Sequence, residues 1–347
     1  MKKRLTQLWV LLPILVLGIS GAAAWQILHS SQKTTTCIGQ AASDFSCWQK
    51  HYNQLVANKT PEAAFTDFKA NYDSNAFVKS SCHQIGHVIG RAAAKKYATL
   101  AETYAHGDNF CWSGYYHGAI ETVAQKLGPN KIISQINTVC ASFLKSKPEG
   151  FDHYNCVHGM GHGLMAVQGD DLFKALSSCD SFDGSWQQES CYSGVFMENV
   201  MNEINPGEHS KYLKSDDPLY PCTAVADRYK QQCYFMQTSH ALIVENYDYT
   251  KVFSLCEGLG DPFNVTCYQS LGRDVSGQSS SDAKLTLERC MLGTSQLARE
   301  NCFTGAVKDF ISYYHSDQQG LALCKAIPDA ALADSCHTQA VEYYKSF

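Results

Sequence analysis

The sequence VFSLCEGLGDPFNVTCYQSLG (residues 252–272) contains two apolar-periodic segments on either side of a short turn-forming segment. Cys256 ends the first segment and Cys267 opens the second, and the turn formers between them include Gly260 and Pro262. Apolar spacing of this kind is typical of helices. Two antiparallel helices joined by a short turn would place the cysteines at the ~5.5 Å Cα separation that a disulfide requires. The segment therefore predicts a helical hairpin closed by its own disulfide.

The same arrangement recurs with a period of 34 residues. One cysteine series has gaps of 34 residues and the other has gaps of 34, 35 and 34. The first series is Cys222, Cys256, Cys290 and Cys324, and the second is Cys233, Cys267, Cys302 and Cys336. A fixed period of this length is typical of stacked repeats. We therefore predict an all-α fold of helical-hairpin repeats, resembling an α-solenoid, with looser copies towards the amino-terminus.

The 16 cysteines are even in number and include no Cys-x-x-Cys motif. We predict one disulfide in each hairpin, and two more near the amino-terminus by proximity alone. The predicted pairs are Cys37 with Cys47, Cys82 with Cys111, Cys140 with Cys156, Cys179 with Cys191, Cys222 with Cys233, Cys256 with Cys267, Cys290 with Cys302, and Cys324 with Cys336. Such cysteine usage indicates an oxidising compartment.

The predicted unit resembles tetratricopeptide and Sel1-like repeats in length and architecture, although the Trp, Leu-Gly and Tyr signature of the former is absent. The resemblance covers architecture only, and it implies a curved stack of hairpins with a concave face. A protein or peptide partner bound on that concave face is one expectation that follows.

The amino-terminus has the features of a membrane-targeting segment. Residues 1–4 are Met-Lys-Lys-Arg, and residues 5–28 are uncharged and apolar enough to enter a membrane. This stretch is about as long as the ~20 residues that a spanning helix needs. The alanines at 22–24 would instead suit signal peptidase. A retained membrane anchor and a cleaved, secreted form both stay open, and either places the body outside the cytoplasm.

The chain has the composition of a folded protein, because 45% of its 347 residues are hydrophobic and 12% are aromatic. Its net charge of -5, without a long run of like charge, excludes the electrostatic footprint of a nucleic-acid-binding protein. We predict four regions. They are a targeting segment (1–30), an amino-terminal helical region and linker (31–80), histidine-rich repeats (81–205), and carboxy-terminal disulfide-stapled repeats (206–347).

Five histidines occupy related positions in the histidine-rich region. They are His83, His87, His117, His158 and His162. Two pairs among them have the spacing His-x-x-x-His, which places both imidazoles on one helix face, close enough to ligate one ion. Equivalent positions of neighbouring hairpins should lie side by side. The five histidines are therefore predicted to converge on one metal site.

Two carboxylates are candidate catalytic residues beside this site. Glu121 follows His117 by four residues and so shares its helix face. Glu198 and His240 are predicted outer members from later repeats, and Met197 occupies the position equivalent to His117.

The remaining histidines are assigned to other settings. His106 and His153 are predicted to lie in loops near the cluster, where they would act as outer hydrogen-bonding groups. The histidines interpreted as surface residues are His29, His51, His209, His315 and His337.

Glycines accompany the histidines, and two explanations apply. Gly86, Gly114 and Gly161 would allow either a ligand or a neighbouring helix to approach closely. Gly194 and Gly305 occupy the Gly114 position in units without the histidines, which favours helix crossing.

A donor set of imidazoles with one carboxylate favours zinc or copper, and non-haem iron is the next candidate. Five or six ligands exceed the needs of one tetrahedral ion, which leaves room for two ions or for histidines acting as acid or base. The His-Glu-x-x-His motif of metalloproteases is absent. The sequence thus predicts an extracytoplasmic metal-binding protein, as a metal-dependent hydrolase or oxidoreductase if it is an enzyme. The alternative is a non-enzymatic binding scaffold whose histidines are structural.

Overall fold

A computed structural model of the chain describes residues 37–145, 148–201, 210–279 and 281–346. Within these ranges the regular secondary structure is entirely helical, so the predicted all-α class is confirmed. The α-helices are, in order, α1 Phe45–Asn58, α2 Pro61–Ser74, α3 Ala76–Ser80, α4 Cys82–Lys96, α5 Leu100–Ala105, α6 Gly114–Leu127, α7 Pro129–Ser134, α8 Ile136–Val139, α9 Phe151–Val167, α10 Leu172–Cys179, α11 Ser185–Met201, α12 Asp227–Val244, α13 Tyr249–Glu257, α14 Phe263–Gln278, α15 Ala283–Cys290, α16 Gln296–Tyr314, α17 Gln318–Ala326 and α18 Ala330–Ser346. Two short 3-10 segments are Gly39–Ser43 and Phe143–Lys145.

Helices α13 and α14 illustrate how the sequence forms one hairpin. The Asp248 carboxylate accepts two backbone N–H groups at the start of α13, which satisfies donors that a helix leaves unpaired. Pro262 precedes the first residue of α14 and helps to set the turn. Cys256 and Cys267 are then joined across the two helices, with a Cα–Cα distance of 5.4 Å.

Eight disulfides join all 16 cysteines, six in pairs that the spacing predicts and two, Cys37–Cys47 and Cys82–Cys111, in pairs predicted by proximity alone. Their Cα–Cα distances lie between 5.4 and 5.9 Å. Complete use of cysteine in disulfides indicates an extracytoplasmic or secreted protein.

The second helices of the hairpins pack against one another in chain order. The succession is α4, α6, α9, α11, α12, α14, α16 and α18, with α1 packed on α4. The shorter helices α10, α13, α15 and α17 lie against this row. The amino-terminal units are less regular, because α7 and α8 stand where the later units have one longer helix. Regular solenoid geometry along the whole chain stays a prediction.

Early and late parts of the row touch each other. The indole N–H of Trp112, just before α6, donates to the carboxylate of Asp309 on α16 at 3.0 Å. The rings of Phe110 and Tyr313 lie 6.1 Å apart between their centroids. The row of helices therefore curves back on itself.

The predicted targeting segment, residues 1–30, lies outside the described residues. In the part of the chain that the structure describes, no helix has both the length and the apolar character needed to cross a membrane.

Candidate metal centre

Three neighbouring helices supply the five candidate histidines. Helix α4 carries His83 and His87, α6 carries His117, and α9 carries His158 and His162. All five side chains are buried. Because α6 packs between α4 and α9, the single histidine of α6 lies between the two His-x-x-x-His pairs.

The structure brings the five imidazoles into one cluster. Ring centroids are 4.6 Å apart for His83 and His87, and 4.6 Å apart for His117 and His162. The pair His87 and His162, from helices that are not successive in the row, is separated by 5.3 Å. Three overlapping groups place their donor atoms within 4.8 Å of one another, the distance expected of a metal-binding set. These groups are His83, His87 and His117; His117, His158 and His162; and His87, Glu121 and His162.

Outer hydrogen bonds fix three of the imidazoles. His83 Nδ1 lies 2.9 Å from the carbonyl oxygen of Cys111. His87 Nδ1 lies 2.6 Å from a carboxylate oxygen of Glu121, and His162 Nδ1 lies 2.6 Å from one of Glu198. Carbonyl and carboxylate oxygens only accept hydrogen bonds, so Nδ1 of each of these rings carries a proton.

His158 has the same tautomer for a different reason. Its Nδ1 lies 2.7 Å from the hydroxyl oxygen of Ser193. That hydroxyl donates its own proton to the carbonyl oxygen of Ser190, at 3.0 Å. With this assignment Ser193 accepts from Nδ1 of His158, which also lies 3.3 Å from the Tyr154 hydroxyl, and Nε2 of His158 carries no proton.

The Nε2 atoms face one another in pairs. His83 Nε2 and His87 Nε2 are 3.0 Å apart, and His158 Nε2 and His162 Nε2 are 3.3 Å apart. Two nitrogen lone pairs at such distances repel unless a cation lies between them. Two nitrogens at ~2.0 to 2.1 Å from one ion, with about 90 to 110° between the bonds, are separated by about 2.8 to 3.4 Å. Both pairs therefore have the spacing of two imidazole ligands on a shared metal ion.

Burial disfavours protonation of these imidazoles, because a charged ring loses its hydration in the interior. Burial, followed by the proximity of His87, lowers the pKa of His83 and of His158 to about 3. Burial and the neighbouring imidazoles also lower the pKa of His117 and of His162 well below the ordinary value. These four rings, of His83, His117, His158 and His162, are neutral near pH 7, which is the form that ligates metals.

His117 provides an independent observation. Its Nδ1 atom is buried and has no hydrogen-bond partner among the described residues. A buried polar atom without a partner costs free energy, so native proteins rarely retain one without a reason. Ligation of a metal ion would satisfy this ring, and His117 belongs to two of the three donor groups.

Glu121 links the histidine cluster to the guanidinium of Arg91. One carboxylate oxygen accepts from His87, and the other lies 2.7 Å from a guanidinium nitrogen of Arg91. Burial alone would raise the pKa of Glu121, but His87 and Arg91 together lower it to about 2. Glu121 is therefore an anion that orients His87, the position that carboxylates occupy behind metal-ligating histidines.

Glycines allow the helices to approach closely around the cluster. A Cβ atom added to Gly118 would lie within 2.1 Å of the carbonyl oxygen of His87, and one added to Gly194 within 1.9 Å of that of His158. Gly305 has the same relation to Gln269, far from the histidines, at 1.9 Å. Helix crossing therefore accounts for these glycines, and it places the histidine-bearing helices in contact.

Several other histidines lie elsewhere. His240 donates from Nε2 to the carbonyl oxygen of Lys214, 3.0 Å away, and belongs to none of the three donor groups. His106 pairs with Glu62 at 2.6 Å. His153, predicted to be in a loop, lies in α9 and stacks on Trp186 at 4.9 Å.

The surface assignment of His51 is wrong. His51 is 9% exposed and lies 2.7 Å from Asp67, because it shares a helix face with Trp48 and Tyr52. His315 and His337 are exposed, as predicted. His29 and His209 lie outside the described residues.

Two members of the network were not identified from the sequence. Arg91 follows His87 by four residues, a helical spacing that would have revealed it. The part played by Ser193 depends on how α9 and α11 pack, for which the sequence has no local signal.

Comparison of the chain with protein-family models, with curated proteins and with solved structures yields no match. The geometry of the centre therefore carries the functional argument.

Proposed function

We propose that this protein is an extracytoplasmic metal-binding protein that holds a transition-metal ion, zinc or copper, among the five buried histidines. The observation that carries the proposal is the pairing of Nε2 atoms at 3.0 and 3.3 Å, the spacing of two imidazole ligands on one ion. Outer hydrogen bonds orient four of the five imidazoles, those of His83, His87, His158 and His162, before any ion binds. Targeting by residues 1–30, with or without a retained anchor, belongs to the same proposal.

The donor set fits this assignment chemically. Neutral imidazoles suit zinc and copper, whereas calcium and magnesium prefer oxygen donors. Glu121 and Glu198 each accept from a ligand histidine, so we assign them to orientation of the imidazoles rather than to proton transfer. A bound ion would supply Lewis-acid activation of water, the basis of hydrolase chemistry, and copper would also supply oxidoreductase chemistry.

The competing function is a non-enzymatic scaffold that binds a protein or peptide on the concave side of the helix row. In that case the histidines would serve only the interior of the fold. The two functions differ in one measurable property, which is whether the cluster retains a metal ion.

Elemental analysis of the full-length protein, produced in an oxidising host without a histidine tag, tests the proposal. The test variant is His158→Ala/His162→Ala, and the matched control is His315→Ala/His337→Ala at two exposed positions. We expect near-stoichiometric zinc or copper in the parent and in the control, and loss of the metal in a test variant that circular dichroism finds folded. Absence of metal from the parent, even after incubation with zinc and copper, would support the scaffold.

A further inference from the structure

One side of the centre offers sulfur as well as nitrogen. His158 Nε2 lies 3.3 Å from Met197 Sδ and 3.3 Å from His162 Nε2. Both contacts meet at one nitrogen, whose lone pair is free because Nδ1 carries the proton. A second imidazole nitrogen and a thioether sulfur therefore both lie within 3.3 Å of Nε2 of His158.

A hydrogen bond does not account for the sulfur contact. Thioether sulfur is only a weak acceptor, and Nε2 of His158 has no proton to donate to it. Nitrogen at ~2.0 to 2.1 Å and sulfur at roughly 2.3 Å from one ion, with about 90 to 110° between the bonds, are separated by about 3.0 to 3.6 Å. The observed 3.3 Å between His158 and Met197 lies in this interval.

Sulfur changes the preferred metal. Zinc sites in proteins use thiolate, imidazole and carboxylate donors, whereas a thioether is a soft ligand that selects copper(I). His83 and His87 are grouped with His117 in one all-nitrogen set and His158 and His162 with His117 in another, and Met197 adds sulfur beside the second set. The centre thus has chemically different sides.

The geometry points to a copper(I) subsite formed by His158, His162 and Met197, an inference that rests on the proposed metal-binding function. Met197 is half-buried while both histidines are buried, and its thioether is the soft donor of the three. Met197 is therefore the residue that determines metal specificity at this subsite.

Competition binding with full-length protein tests the inference. Metal-free protein is titrated with copper(I) against bicinchoninate, anaerobically with ascorbate, and separately with zinc against a chromophoric chelator. We expect Met197→Leu to weaken copper(I) binding by about 10-fold or more and to leave zinc binding unchanged. Met291→Leu, at an exposed methionine, is the matched control and should behave as the parent.

X-ray absorption of the copper(I)-loaded parent provides a readout that needs no variant. We expect a copper–sulfur shell at roughly 2.3 Å in the parent, and its loss in Met197→Leu if that variant folds. Copper bound by nitrogen alone, with unchanged affinity in Met197→Leu, would overturn the subsite and leave the metal-binding function intact. Failure of the parent to bind either zinc or copper would overturn both.

Discussion

The carboxylate of Glu121 lies 2.6 Å from Nδ1 of His87 and, through its second oxygen, 2.7 Å from the guanidinium of Arg91. Arg91 thus holds the Glu121 carboxylate against His87, whose other ring nitrogen, Nε2, faces His83 in the cluster. Glu121 therefore sets both the tautomer and the orientation of His87.

Replacement of Glu121 should weaken metal binding without abolishing it. In Glu121→Gln the amide still contacts His87 but carries no charge, so we expect affinity to fall by about 10- to 100-fold. Zinc titration against a chelator measures the change. Glu342→Gln, at an exposed glutamate paired with Lys345, is the control. Equal affinity in both variants would contradict an orienting role for Glu121.

The stability of the metal-free protein should depend on pH through the buried histidines. In the folded protein the pKa of His83 and of His158 is about 3, against an ordinary value of 6.5. As the pH falls below 6.5 the unfolded chain takes up protons at these positions while the folded chain does not. Their contribution to the free energy of unfolding is therefore complete above pH 6.5 and declines as the pH falls towards 3.

Urea unfolding at several pH values between about 7.5 and 4.5 measures this decline. The variant His83→Gln/His158→Gln should have a flatter profile than the parent, because it lacks the two titrating groups. Parallel profiles would show that these histidines do not titrate as their burial requires.

Because α9 and α11 pack closely at Gly194, a side chain at this position should lower the stability of the folded protein. A Cβ atom would lie 1.9 Å from the carbonyl oxygen of His158, so α9 and α11 would have to separate. We expect Gly194→Ala to lower the free energy of unfolding by about 1 to 3 kcal/mol and to weaken metal binding. Gly260→Ala is the matched control, since an added Cβ has nothing within 4 Å.

Peptide mapping under non-reducing conditions tests the hairpin arrangement. We expect peptides in which Cys256 is joined to Cys267 and Cys290 to Cys302, since each pair closes a single hairpin. Disulfides between distant units would be incompatible with the fold.

Removal of the hydrogen bond between Trp112 and Asp309 should lower the stability of the folded protein. In Trp112→Phe the largely buried Asp309 carboxylate loses an indole N–H donor at 3.0 Å. We expect the free energy of unfolding to fall by about 1 to 3 kcal/mol. Asp309→Asn retains an oxygen acceptor for the indole and should lose less, as chemical denaturation would reveal.

The sequence predicted best the features that recur at fixed spacing along the chain, which are the disulfides and the helix faces. Cysteines such as Cys256 and Cys267 mark both ends of a turn, so hairpins and disulfides follow from their positions. His158 and His162 likewise identify a helix face by their spacing. Such features depend only on local geometry, which explains why they could be predicted.

Features that depend on accumulated helix packing could not be predicted. The curvature that brings Trp112 to Asp309 results from many small rotations between units, and none has a sequence signal. His240 occupies a similar repeat position to the site residues, yet its imidazole is hydrogen-bonded to the backbone carbonyl of Lys214 in a loop. His51 was assignable, because Trp48 and Tyr52 mark its helix face as apolar.

The contact between Trp112 and Asp309 also limits how this protein can change in length. Open repeat arrays grow or shrink by duplication or deletion of single units, because each unit touches only its neighbours. Here an added or deleted hairpin between residues 112 and 309 would shift the two partners out of register. The number of units in this interval is therefore fixed by the tertiary structure, and variation in length is expected at the ends of the chain.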